Sequence, residues 1–356
     1  MTPIDSRVCK KTRESKIFGV PFDPANSPER LNLKRAYITH VMNAHQPSQV
    51  FLDPYDIIRA DLREPPLFSS ETIWFGKMPV DSWLMPRPNL NDLSSLTLFH
   101  ADSFLGSNGC WKYALKVAQF VEENVFPHRP VMIGIDHSLT GGLLLALSKK
   151  YSNLNVVVLD AHFDVMKCNR LIPSLNHHKP DEDPLFCHCG NFLSFVLERN
   201  IIQPQNLWVL GVAEEVLAKS EDGHETKSLF NNEEEMRKWI DKGVHLFSKQ
   251  MVSSQSIRID LSGPTYVSID MDVGSLSSVF SARFMNCYGL TLRAFLDLLA
   301  CVRRSIENAK VPLVGLDIME VDIHFHEAVE AMPFRDYTRY IIRNALKVFL
   351  QDELKS

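Results

Sequence analysis

Short runs of aliphatic and β-branched residues recur along the chain, at Lys16–Pro21, Pro130–Ile135, Asn155–Asp160, Asn206–Val212, Val244–Phe247, Tyr266–Asp270 and Val311–Ile318. Several, such as Val156-Val157-Val158-Leu159, are apolar at consecutive positions instead of alternating. That pattern belongs to parallel strands covered by helices on both faces; a half-exposed antiparallel strand would alternate. Helix-length amphipathic segments lie between the runs: Trp111–Val125, Ser138–Tyr151, Phe192–Asn200, Glu233–Lys242, Leu292–Ala309 and Phe334–Leu350. In Leu292–Ala309 the apolar residues at 292, 295, 299, 302 and 306 form one helical stripe. Strand and helix alternate through most of the length, which predicts a single α/β domain over residues 1–356 with a largely parallel sheet. Residues 1–15 read as a flexible N-terminus. The Pro-rich stretch 65–88 reads as a long loop, and residues 22–100 carry no clear period. Residues 165–187 form a connection long enough to be functional, and it leaves the carboxyl end of a strand, where open α/β sheets build their sites.

Composition narrows the class. Of 356 residues, 45% are hydrophobic and 23% charged, an ordinary balance for a globular domain. A net charge of −5 gives no reason to expect a nucleic-acid or anionic-membrane partner. No apolar run approaches the roughly 20 residues of a membrane helix, and Met1–Lys16 lacks the apolar core of a secretory signal. Seven cysteines at irregular spacing fit reduced thiols. A soluble, cytoplasmic protein is the expectation.

The candidate chemistry sits at strand ends. The run Asn155–Leu159 delivers Asp160-Ala161-His162-Phe163-Asp164, in which alternate residues of an extended segment point to one side. Two carboxylates and an imidazole aimed at one point call for a cation. Other runs end alike: Val131–Ile135 leads into Asp136-His137-Ser138, Tyr266–Ile269 into Asp270-Met271-Asp272, and Val314–Ile318 into Met319-Glu320. Taken alone, Asp270-x-Asp272 has the spacing of a helix cap or Asx turn. Together, His137, Asp160, His162, Asp164, Asp270 and Asp272 make four carboxylates and two imidazoles. That set is too anionic for one structural zinc. It suits two divalent ions, with the carboxylate and imidazole mixture favouring Mn2+, and two such ions lower the pKa of a shared water towards neutrality.

Gly134-Ile-Asp-His-Ser138, Asp160-Ala-His-Phe-Asp164, Ser268-Ile-Asp-Met-Asp272 and Asp317-Ile-Met-Glu320, in this order, resemble the arginase/agmatinase (ureohydrolase) family. Phe18-Gly-Val-Pro-Phe-Asp23 resembles its first strand and loop, and Tyr288-Gly-Leu-Thr291 the opening of a late helix, so the likeness spans roughly residues 16 to 350. The resemblance implies a doubly wound domain with a mostly parallel eight-stranded sheet and helices on both faces, assembled as a homo-oligomer. It implies a binuclear manganese centre on His137, Asp160, His162, Asp164, Asp270 and Asp272, with Asp160 and Asp270 bridging. Glu320 matches the glutamate that pairs with a substrate guanidinium, and the implied reaction hydrolyses a guanidino group to urea and an amine. The leaving amine needs a proton from a group near neutral pKa. His188, in Cys187-His-Cys-Gly-Asn191, matches the family's catalytic histidine, with His177 and His178 as rivals in the same connection. Departures from the family pattern are Ile135 in place of a second glycine, and Val273-Gly-Ser-Leu-Ser277 in place of an Asp-Pro continuation. The segment Val165-Met-Lys-Cys-Asn-Arg170 matches neither the arginase nor the agmatinase pattern, which leaves a small guanidino substrate and an arginine-containing peptide both open. A different C–N hydrolase, acting on a formimino or amide group, and an inactive metal-binding homologue are the other readings.

Overall fold

The computed structural model describes residues 14–43, 53–62, 73–166, 186–213, 233–284, 287–324, 326 and 336–350. Eight strands make one sheet: β1 (Ser15–Val20), β2 (Ile73–Lys77), β3 (Arg129–Gly134), β4 (Asn155–Leu159), β5 (Leu207–Val212), β6 (His245–Ser248), β7 (Thr265–Asp270) and β8 (Leu313–Met319). Their order is β2-β1-β3-β8-β7-β4-β5-β6, and every neighbouring pair is parallel. The helices are α1 (Pro28–Asn43), α2 (Pro54–Asp61), α3 (Leu98–Gly106), α4 (Gly109–Phe120), α5 (Thr140–Lys150), α6 (Phe192–Glu198), α7 (Glu233–Asp241), α8 (Lys249–Ser253), α9 (Leu292–Ala309) and α10 (Thr338–Phe349).

The consecutive apolar residues serve two cores. Val156 and Val158 of β4 pack with Tyr113, Val117, Leu143 and Leu147 of α4 and α5 on one face. Val157 and Leu159 pack with Phe295, Leu299, Val302 and Ile341 of α9 and α10 on the other. Each such side chain contributes about 1.5–3 kcal/mol of burial, and a polar residue on either face would forfeit it. α9 matches its predicted bounds, and the Thr291 hydroxyl caps it by accepting from Ala294 N at 3.3 Å.

The N-terminal third differs from expectation. A strand, β2, lies inside the stretch read as a loop, α1 and α2 occupy the part that shows no period and α3 begins at its end, and Ser15 is already buried in β1. α1 explains why its period is hard to see. Its buried residues are Arg30, Leu31, Lys34 and Ile38, a proper helical stripe in which two of the four positions carry charge. Residues 1–13 and most of the 165–187 connection lie outside the described residues.

Register places the site. Ile133, Ile318, Ile269 and Leu159 form one row across β3, β8, β7 and β4. The next residues onward therefore leave the four central strands at one height, and they lead directly into Asp136, Glu320, Asp270 and Asp160. Here the chain order also reverses, since β3 is followed in space by β8 and β7 before β4, which is where open α/β sheets leave a crevice.

Candidate metal centre

Each of the four strand ends makes the same turn. Asp136 Oδ1 accepts from Ser138 N at 3.1 Å, Asp160 Oδ1 from His162 N at 2.6 Å, Asp270 Oδ1 from Asp272 N at 2.9 Å and Asp322 Oδ1 from His324 N at 2.8 Å. The capping and ligand readings of Asp270-x-Asp272 are thus compatible, because one oxygen stabilises the turn and the other is left over. His137 Nδ1 lies 2.8 Å from Asp270 Oδ2, 3.4 Å from Asp164 Oδ2 and 3.5 Å from Asp160 Oδ2. His162 Nδ1 lies 3.0 Å from Asp272 Oδ2 and 3.5 Å from Asp160 Oδ1. His137, Asp160, Asp164 and Asp270 offer ligand atoms that all lie within 4.8 Å of one another, as do Asp160, His162 and Asp272. Asp160 belongs to both groups. A third group, Asp270, Asp272 and Glu320, meets the same limit.

A network beneath the cluster sets the His137 ring. Ser268 Oγ donates to Asp317 Oδ1 at 2.6 Å and lies 2.9 Å from His137 Nε2. The serine has a single hydrogen, so it must accept from Nε2–H, which leaves Nδ1 as the ring atom that faces the cluster. Asp317 is held in turn by Thr140 Oγ1 at 2.5 Å and by the Tyr266 hydroxyl.

Charge explains what the cluster wants. Burial, then the neighbouring Asp164 and Asp272, push the Asp160 carboxyl well above the usual range. Burial and Asp272 push Asp270 up to about 7. For His137 burial would depress the ring, but Asp270 overrides it and holds it well above its ordinary value; Asp272 does the same for His162. Left to themselves these groups hold protons in place of cations, and divalent ions would displace those protons. His137 Nδ1 and Asp160 Oδ2 are buried with no hydrogen-bond partner among the described residues. Orphaned buried ligand atoms at hydrogen-bonding separation, without hydrogen-bonding geometry, fit a metal centre.

Two residues sit apart from the six. Glu320 is 1% exposed, and its Oε2 has no partner among the described residues. Burial, then Asp270, push its carboxyl well above the usual range, against the opposing pull of Arg283. Its φ of +60°, and the +29° of Asp164, lie in the left-handed region. His188 is buried in the turn that precedes α6, where its Nδ1 accepts from Gly190 N at 3.1 Å. That bond assigns the ring proton to Nε2. Phe192, four residues on, packs against His137 with ring centroids 4.4 Å apart. His177 and His178 lie outside the described residues.

The pattern at the strand ends misses an adjoining ion network. Asp23 Oδ2 meets Arg30 Nη2 at 2.9 Å and Lys34 Nζ at 3.9 Å, and Asp23 Oδ1 meets Arg283 Nη2 at 3.3 Å. Arg30 also pairs with Asp322 and Arg283 with Asp136. Burial alone would raise the Asp23 carboxyl, but Arg30, Lys34 and Arg283 hold it far below the carboxylate range. These residues are scattered from 23 to 322 with no local spacing, and only Asp23, inside the Phe18–Asp23 motif, and Asp136, inside Gly134–Ser138, carried any signal.

Comparison with known proteins decides the family. Residues 79–332 match the family model described as Arginase family. The chain belongs to the arginase family. It is 35% identical over 99 residues to an arginase of Staphylococcus aureus (strain COL), covering 27% of this chain and 30% of that protein. An agmatinase of Bacillus cereus is 24% identical over 194 residues, covering 54% and 55%. The chain therefore matches about a third to a half of the length of these relatives. In structure it is similar to the proclavaminate amidino hydrolase of Streptomyces clavuligerus, with a TM-score of 0.54 at 18% identity over 95% of this chain and 92% of that one. It is likewise similar to the formimidoylglutamase of Bacillus subtilis, with 0.55 at 14% over 96% and 88%. The arginase of Bacillus caldovelox gives 0.53 at 16% over 95% and 98%. At these identities the structural likeness establishes the fold: one parallel eight-stranded sheet with helices on both faces.

Proposed function

We propose that the protein is a binuclear, manganese-dependent hydrolase that cleaves the C–N bond of a guanidino group, releasing urea and an amine. The observation that carries this reading is Glu320: a buried carboxylate with an unpartnered oxygen, set beside the aspartate cluster. The nearby cations are committed elsewhere. Arg30, Lys34 and Arg283 face Asp23, Asp136 and Asp322, three charges against three. Lys34 takes part although burial brings its pKa down to about 8. Among the described residues Glu320, like the cluster aspartates beside it, is left without a paired cation, and a guanidinium would supply one.

His137, Asp160, Asp164 and Asp270 would hold one ion, and His162, Asp272 and the shared Asp160 and Asp270 the other. When bound, such ions supply an activated water at neutral pH. Burial and Asp270 favour the protonated Glu320 carboxyl, and an incoming guanidinium would draw that proton off; the charge-assisted pair so formed would orient the planar group for attack on its carbon. His188 holds a proton at Nε2 for the departing amine. Ser268 and Asp317 keep the His137 ring from turning.

The test is incubation of Mn2+-supplemented protein with arginine, agmatine, a guanidino acid and an arginine-containing peptide, with urea as readout. Urea from one of them is expected, and its identity names the substrate. Ammonia or formamide from a formimino compound, with no urea from any guanidine, would overturn the reading.

A further inference from the structure

The chain departs from the family continuation at Val273–Ser277, and a few residues further on it contributes Arg283. The Arg283 side chain is fully buried and pairs with residues outside the six candidate ligands. It reaches three pieces of backbone that do carry the site. Nη1 pairs with Asp136 Oδ2, and the other oxygen of Asp136 accepts from the amide and hydroxyl of Ser138, so both sides of the turn bearing His137 are held. Nη2 donates to Asn26 Oδ1 at 3.1 Å and meets Asp23 Oδ1 at 3.3 Å, both in the connection after β1. The Arg283 backbone N–H donates to Glu320 O at 2.8 Å. Around that bond, Ala282 pairs antiparallel with Val321, and Asp322 N donates to Ser281 O at 2.9 Å.

We propose that Arg283 is a positioning residue: it fixes the turn that carries His137 and the backbone of Glu320 relative to each other. The inference rests on the proposed metal-dependent reading. A residue held at positive φ keeps that conformation only where its surroundings impose it, and the bond from Arg283 N is such a constraint on Glu320. The planar guanidinium, with donors in a fixed fork, spans Asp136 on one side and Asp23 with Asn26 on the other; an ammonium is a single point charge and cannot. One residue, through its side chain at Asp136, Asp23 and Asn26 and its backbone at Glu320, thereby ties the spacing between an ion at His137 and a guanidinium at Glu320 to the position of the first strand's connection.

Arg30 provides the control. It is nearly as buried, pairs with Asp23 and Asp322, and among the described residues makes no hydrogen bond or ion pair with Asp136 or Glu320. The experiment compares Arg283→Met, Arg283→Lys and Arg30→Met with the wild type by calorimetric titration of Mn2+, by inhibition with low millimolar guanidinium ion, and by melting temperature. Arg283→Met is expected to weaken one of the two Mn2+ sites about 10- to 100-fold, the range for residues that orient metal ligands. Guanidinium affinity should fall in parallel, about 10-fold. Arg30→Met should lower the melting temperature comparably and leave both affinities within about 2-fold. Arg283→Lys keeps the charge and loses the fork, so it should still lose Mn2+ affinity about 5-fold or more, and it carries the test should the methionine variant fail to fold. Equal affinity losses for Arg30→Met and Arg283→Met, or wild-type affinities in folded Arg283→Lys, would overturn the proposal. Wild-type protein that binds no Mn2+ would overturn the parent reading as well. Wild-type protein that binds two ions yet releases no urea would sink the activity while leaving the Arg283 assignment to its metal titration.

Discussion

Four aspartates at neighbouring strand ends make the same turn with one oxygen and differ in what meets the other. At Asp136 and Asp322, after β3 and β8, the second oxygen finds an arginine. At Asp160 and Asp270, after β4 and β7, it finds a histidine ring and other carboxylates. The backbone device is shared, so the turn alone does not make a site. The difference lies in the supply of cations: the arginine-paired set is neutralised within the chain, and the histidine-paired set is one that ions from solution would neutralise. Asp23, facing three cations, is driven down, while Asp270, beside Asp272, is driven up to about 7.

Substitutions should pull these two sets apart. The largest effect is expected at the shared ligand: Asp160→Asn should lower Mn2+-dependent urea release by at least ~10³-fold, since several kcal/mol of transition-state stabilisation depends on the ions. In chelator the same variant should melt no lower than wild type, because it removes a carboxyl whose charged form burial and the neighbouring aspartates already disfavour; a fall of many degrees would show that the histidine-paired set is structural. Asp23→Asn should behave oppositely, costing about 3–5 kcal/mol by leaving buried cations uncompensated, whether or not Mn2+ is present, as read by denaturant titration.

Glu320→Gln comes next. Loss of a charged partner worth about 1.5–3 kcal/mol should raise KM and lower kcat, with Mn2+ stoichiometry unchanged in calorimetry. Ser268→Ala should weaken Mn2+ binding about 10- to 100-fold by freeing the His137 ring, with a smaller change in KM. The smallest effect is on pH. Asp270 titrates near 7 when folded and near 4 when unfolded, so between those values the folded, ion-free state binds more protons than the unfolded one. Its stability should therefore decline as pH rises from about 4 to about 7. His137 and His162, also raised, act in the same direction, losing their contribution as pH rises further. Melting scans in chelator should show this decline, and saturating Mn2+ should remove it, since the ions need the deprotonated ligands.

Much of this was legible in the sequence wherever period and polarity agree. Consecutive valines announce β4, and the strand ends that bear ligands alternate in the way the extended chain demands. The missed elements break that agreement. β2 is a five-residue strand on the sheet edge, interrupted by Gly76 at φ +112°. α1 turns Arg30 and Lys34 inward, so its buried face reads as polar. Arg283 and Asp317 act through partners far off in the chain, Asp136 and Thr140 among them, and no local spacing can reveal such pairs. His188 was singled out by a resemblance to the family's segment before a helix, and its hydrogen bond to Gly190 supplies a proton position that the sequence could not.

Asp164 and Glu320 sit in left-handed backbone, a conformation that costs of order 1 kcal/mol or more for a residue with a side chain. Glycine would relieve that strain at either position and would carry no carboxylate. A selection for thermal stability alone should therefore drift towards glycine at these two places, and a selection for turnover should refuse it. The ratio of glycine to acid recovered at 164 and 320, from one library under the two regimes, would measure how far folding and chemistry compete in this chain.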